Sequence, residues 1–183
     1  MSDVSARCLD TFPQWLRTLG SDAEALVALV GDQGVPDGAR RAIAGGLNYL
    51  FKSLDLIPDG IDDIGYLDDA FVLRVAVKLA SSEDLAKLGA EQKGPLERLG
   101  KDSELIAEFL GDNYARLETY VAGLRRGAAR GRSVDDIMGD AHVLGEFTGD
   151  VRAFARGYQP PSFAREEKNL IKMKAFFDAK LPK

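Results

Sequence analysis

The chain has 183 residues with 24 Lys+Arg against 29 Asp+Glu, a formal net charge of −5, and 45% hydrophobic and 29% charged residues. That is the balance of a soluble globular protein of one domain, and it argues against both wholesale disorder and a nucleic-acid binder. One cysteine (Cys8) excludes an internal disulfide framework and every multi-Cys metal site, one histidine (His142) excludes sites built on two imidazoles, and no stretch approaches a membrane-spanning apolar run.

Leu and Ala are abundant, Thr is scarce, and apolar residues recur at three and four rather than two. The fold class expected is all-α, a single compact domain of eight to ten short helices over residues 1–183. A first helix is expected over Leu9–Leu19 with Trp15 in the core. A second starts after Ser21 or Asp22 and carries Leu26, Leu29 and Val30. Pro36 opens a third, which carries Ile43, Leu47, Leu50, Phe51 and Leu54 on one face. Gly45-Gly46 in its middle costs helix stability, so another backbone is expected to pack closely there. A further helix runs from Leu67 to Ala80 and buries Phe71, Val72, Val75, Ala76 and Leu79.

Ser81-Ser82-Glu83-Asp84 has a capping-box pattern and is expected to restart the chain as a helix, with a break at Lys93-Gly94-Pro95. Helices follow at Leu96–Leu99, Ser103–Leu110 and Asn113–Leu124. Gly20, Gly31, Gly100, Gly111 and Gly139 read as helix ends. Residues 123–133 hold Arg125, Arg126, Arg130 and Arg132 among Gly and Ala, and read as a flexible linker. Ser133-Val134-Asp135-Asp136 is a second capping box. A helix over Ala141–Ala155 ends at Tyr158-Gln159-Pro160-Pro161, and Ser162 caps a last helix to Leu181 with Leu170, Met173, Phe177 and Leu181 on one stripe.

The segment from Asp55 to Asp69 stands apart. It holds six aspartates and no base, so the charges either splay into water or are held by something positive. Two readings account for it. In the first, the segment is an architectural turn. Pro58-Asp59-Gly60 makes the reversal, with Gly60 supplying a positive φ, and Asp68 and Asp69 meet the N–H groups of the next helix. In the second, Asp55, Asp59, Asp68 and Asp69 gather a hard divalent cation, Mg²⁺ or Ca²⁺. Counted from Asp55, Ile57 and Tyr66 occupy the third and twelfth positions, so a true EF-hand is excluded. Basic partners such as the Arg125–Arg132 run are a further way to balance the charge.

The string Tyr49-Leu50, Asp55-Leu56-Ile57-Pro58-Asp59, Ile61 and Gly65-Tyr66-Leu67-Asp68-Asp69 resembles the YkvA-type domain of unknown function, a short bacterial and archaeal domain. The resemblance covers residues 39–79. Two departures stand out: Ser53 and Asp62 occupy positions where that domain usually carries proline. The resemblance implies no catalytic activity, since none is assigned to the domain. It implies that Asp55, Asp59, Asp68 and Asp69 matter as a set, with Pro58, Gly65, Tyr66 and Leu67 as the structural motif.

The remaining features are ordinary. Cys8 reads as a small buried hydrophobe and His142 as a structural histidine. The last helix has six bases against three acids, which suits a packed surface helix, a protein partner or an anionic membrane surface. No phosphate loop and no nucleophile elbow is present. The polar start, Met1 to Arg7, leads to the expectation of a cytoplasmic protein. Three functions remain open from the sequence: a non-enzymatic interaction module, a metal-binding protein or metal-dependent hydrolase centred on the aspartates, and a peripheral membrane protein.

Overall fold

The computed structural model describes residues 1–183 and contains nine helices and one two-stranded hairpin. The all-α expectation holds, in one domain. α1 runs over Asp3–Gly31, with the Ser2 hydroxyl accepting from the Ser5 N–H at its start. The two helices expected before residue 32 are thus one. Gly20 is not an end but a crossing point: a Cβ there would lie 3.0 Å from the Ala155 carbonyl oxygen. The glycine lets a later helix, α8 (Ala141–Gly157), lie against α1.

α2 (Asp37–Tyr49) and α3 (Leu67–Ala80) form an antiparallel pair around the acidic segment. Gly45 and Gly46 of α2 both lie at close approaches, as expected. A Cβ on Gly46 would sit 2.6 Å from the Cβ of Ala76, and one on Gly45 would sit 2.9 Å from the backbone nitrogen of Arg125. α3 is the central helix. Every residue from Leu67 to Val77 is buried, as in a helix surrounded by neighbours rather than laid on a surface. α2 ends earlier than its apolar face suggests. Leu50, Phe51 and Lys52 close tight turns onto Leu47, Asn48 and Tyr49, and Leu54 is 82% exposed. The chain reverses because Leu56 must return to bond the Tyr49 hydroxyl.

α4 spans Ala90–Lys101, α5 Ser103–Leu110 and α6 Asn113–Leu124. No helix starts at the Ser81 pattern. The Ser81 and Ser82 hydroxyls instead bond back to the Val77 and Leu79 carbonyls and finish α3. Pro95 does not break α4, because Leu96 and Leu99 on the same helix are held in the core.

Residues 123–133 are not a linker. β1 (Ala128–Ala129) pairs antiparallel with β2 (Arg132–Ser133). Arg130 and Gly131 between them both have positive φ, 51° and 75°, the turn that suits a two-residue hairpin. The hairpin is packed: Ala129 is buried, and the Asn48 side chain donates to the Arg132 carbonyl at 3.1 Å. α7 (Val134–Gly139) follows with the Ser133–Asp136 capping box formed as expected. After α8 the chain runs without regular secondary structure through residues 158–166. The last helix, α9 (Glu167–Lys180), starts later than the Ser162 cap predicts. Pro160 and Pro161 keep this strap non-helical, and the Ala164 N–H is taken by Asp63.

The core is aromatic at its centre. Phe12, Trp15, Phe71, Phe109 and Phe177 bring α1, α3, α5 and α9 together at ring separations of 5.1 to 6.0 Å. Cys8 is wholly buried, and burial pushes its thiol up to about 11. His142 is exposed on α8, so no Cys–His pair exists. No helix is long and apolar enough to cross a membrane.

The α2–α3 contact gives a first prediction. Ala is the better helix former by about 1 kcal/mol, yet Gly46→Ala inserts a methyl into a rigid contact, which costs about 1–3 kcal/mol. Urea unfolding of Gly46→Ala is expected to show a net loss. A variant as stable as the wild type would mean that the helices do not meet there.

Candidate metal centre

The site is built where α2 ends and α3 begins. Tyr49, the last residue of α2, is buried, and its hydroxyl does two jobs. It accepts the Leu56 N–H at 2.7 Å and donates to Asp68 Oδ2 at 2.6 Å. The Ile57 N–H reaches the same Asp68 oxygen at 3.0 Å. Asp68 therefore staples the returning chain to the start of α3. Ile57, Ile64 and Leu67 are buried beneath the loop and hold it down.

Pro58 opens the reversal, with the Ile61 N–H on its carbonyl at 3.0 Å. Gly60 does not take up the positive φ expected of it. The left-handed positions belong to Asp63 (φ 69°) and Tyr66 (φ 66°). Gly65 is required for space rather than dihedral freedom, because any side chain would collide with the Asp59 carbonyl. Tyr66 precedes α3 and packs its ring edge-on to Tyr158 at 5.3 Å.

Four aspartates were singled out by the sequence, and the structure brings three together. Asp59, Asp68 and Asp69 each offer one carboxylate oxygen within 4.8 Å of the others. Asp55 lies outside this trio but close enough to act on it by charge. Asp59 is exposed, while Asp68 and Asp69 are 0% and 3% exposed. Asp68 Oδ1 and Asp69 Oδ2 are buried with no hydrogen-bond partner. None of the four is in an ion pair. Of the basic run expected to balance them, Arg132 is instead bound to Asp150 at 2.8 Å.

The electrostatics follow. Burial, opposed by the hydrogen bonds from Ile57 and Tyr49, pushes Asp68 up to about 7. Asp69 is raised well above the carboxylate range by burial and then by the charges of Asp68, Asp59 and Asp55. Desolvation, then the charge of Asp59, lifts Asp55 to about 6. Like charges this close do not all ionise without a cation.

Asp62 points to solvent, but Asp63, which the sequence gave no reason to weight, is structural. Its two oxygens accept the Ala164 N–H at 3.1 Å and the Asn169 amide at 3.4 Å, tying the loop to the strap and to α9. The sequence also offers no reason to place Tyr49 or Arg130 at the site. A tyrosine at a helix end carries no signal that its hydroxyl bridges two chain segments. Arg130 belongs to a basic run that reads as a flexible linker. Asp59, Tyr66, Leu50, Arg130, Asp150 and Phe154 line a cleft of about 360 Å³ that opens beside the trio.

Residues 39–74 match the model of a family described as a protein of unknown function (DUF1232). The matched stretch contains Tyr49 and all four aspartates and covers well under half of the chain. No curated protein and no solved structure matches the chain.

Two predictions come from this geometry. Tyr49→Phe strips the Leu56 N–H and Asp68 of a buried partner, and is expected to cost about 1–3 kcal/mol in urea unfolding. A cost near zero would show that the bridge is not made. The second is a pH dependence. Asp68 and Asp69 have folded pKa values raised above their unfolded ones, so the folded state binds more protons. Their effect favours folding below about pH 4, the unfolded carboxylate value. It is lost as pH rises through about 7. In metal-free buffer, Asp69→Asn is expected to gain most over the wild type on the alkaline side of that window. Parallel pH profiles for the two proteins would rule out a buried ionising cluster.

Proposed function

We propose that this chain is a helical module that binds a divalent cation through Asp59, Asp68 and Asp69, with Asp55 adding charge from the side. One observation carries the reading: three carboxylates converge, two of them buried with unpartnered oxygens and none balanced by a base. Unpaired buried charge is costly, and hard cations are bound by such oxygens. Three carboxylates beside an open cleft suit Mg²⁺, which keeps part of its water shell, better than Ca²⁺, which takes six to eight protein and water oxygens. The motif that supplies these residues is of the YkvA type on this reading. The proposed role is regulatory or structural rather than catalytic.

A second reading is favoured by the hydrogen bonds to Asp68. Tyr49 and Ile57 both bond its Oδ2, as expected if the motif is a staple and nothing more. The two readings separate at Asp69, which the staple does not use.

Thermal unfolding with and without millimolar Mg²⁺, Mn²⁺ or Ca²⁺ tests this. A site filled to a hundred times its Kd adds about 2.7 kcal/mol. In a chain of this length that raises Tm by several degrees. The rise is expected in the wild type and absent in Asp59→Asn and Asp69→Asn. No rise with any of the three ions would leave the motif a staple only.

A further inference from the structure

The cleft beside the trio has a second wall, and its charge points to an anion. Asp59 lies both in the trio and in the cleft, and Arg130 lines the same cleft. The other carboxylate of the lining, Asp150, is neutralised by Arg132 at 2.8 Å. Arg130 has no carboxylate partner. Its guanidinium rests on the face of Phe51, 4.6 Å from the ring centroid, which steadies it without using its N–H donors. Its backbone has φ 51° in a turn where Asn, Asp or Gly fits best. The position thus holds a long cationic side chain where the turn itself asks for a small polar residue.

We propose that the cleft binds a phosphate group, shared between the cation on Asp59, Asp68 and Asp69 and the guanidinium of Arg130; the proposal rests on the cation reading above. Phosphate matches both partners. Its oxygens complete the shell of a hard ion that is typically held by a few carboxylates plus ligand phosphates. They also accept paired N–H bonds from a guanidinium. A cleft of about 360 Å³ is in the range of small-ligand sites. Without the cation, the carboxylate of Asp59 repels the phosphate, so the two ligands bind cooperatively. Phosphate then tightens the cation by the same factor as the cation tightens phosphate.

Isothermal titration of the full chain with Mg²⁺, with and without inorganic phosphate, tests this. Phosphate is expected to strengthen Mg²⁺ binding about 10-fold, within the usual range of coupled sites. Arg130→Gln, which keeps the stem on Phe51 and removes the charge, is expected to bind Mg²⁺ like the wild type and to lose the coupling. Mg²⁺ binding that phosphate does not change overturns this proposal and leaves the cation reading standing. Absence of Mg²⁺ binding overturns both. Phosphate binding that needs no Mg²⁺, or that survives in Arg130→Gln, overturns the shared site. Glycerol 3-phosphate in solution and phosphatidic acid in vesicles then replace inorganic phosphate. Coupling with the first assigns a soluble phosphomonoester, and coupling with the second alone assigns a lipid headgroup.

Discussion

α2 lies on α3 with almost nothing between them at Gly46 and Ala76, and the site is a consequence of that approach. Three residues beyond Gly46, Tyr49 is carried to the start of α3, where its hydroxyl meets Asp68. A bulkier pair at the crossing would separate the axes and pull this bridge apart. The reversal of the chain at residues 50–57 has the same origin. Its backbone returns to the Tyr49 hydroxyl and to Asp68, and its short turns leave Leu54 in solvent because no core position is within its reach.

α3 also shows how this chain treats buried charge when it balances it. Arg74, on the same helix as Asp68 and Asp69, is 1% exposed. It bonds Asp102 at 2.9 Å and Asp22 at 3.4 Å, gives a third bond to the Ala70 carbonyl, and lies 4.3 Å from the centre of the Trp15 ring. Burial pulls its pKa down, and the two aspartates oppose that. Every part of the guanidinium is answered. At the start of the same helix, Asp69 has an unanswered oxygen and three acidic neighbours. Unpartnered buried atoms occur elsewhere too, on Asp22, Asn48, Arg132 and Asn169, but Asp22 and Arg132 have ion-pair partners, whereas Asp68 and Asp69 lie among like charges with no base.

Much of this was readable from spacing alone. The bounds of α3, α5 and α6, the Ser133 capping box, the stripe on α9 and the close approach at Gly45-Gly46 all follow from local pattern. What failed failed where one signal serves two ends. Gly20 looks like a terminator, but a glycine that ends a helix and one that admits a neighbour are the same residue. Ser81 and Ser82 look like a cap, but their hydroxyls bond backward to the finished helix. The arginine-rich run looks like a linker because its anchors, Asn48 and Gly45, lie far away in sequence. At the site, the aspartates were visible as a set. Nothing local told that Asp55 stands apart from the trio, that Asp63 is a tie, or that Tyr49 closes the loop, since each depends on a contact between segments.

The tie at Asp63 bears on the order in which the molecule is assembled. Its partners, Ala164 and Asn169, lie 101 and 106 residues further along the chain. The strap that carries Ala164 is also anchored to α1, through the Tyr158 hydroxyl on the Leu16 carbonyl and the ion pair of Arg165 with Asp10. Contacts of such separation form late, because the closure entropy of the long loop must be met first. During synthesis, α2, the acidic loop and α3 emerge well before the strap exists. The aspartates can gather early, while the tie at Asp63 is added to the loop only when residues 164–169 dock. The cluster is thus a local motif that gains its last anchor from residues more than a hundred positions away.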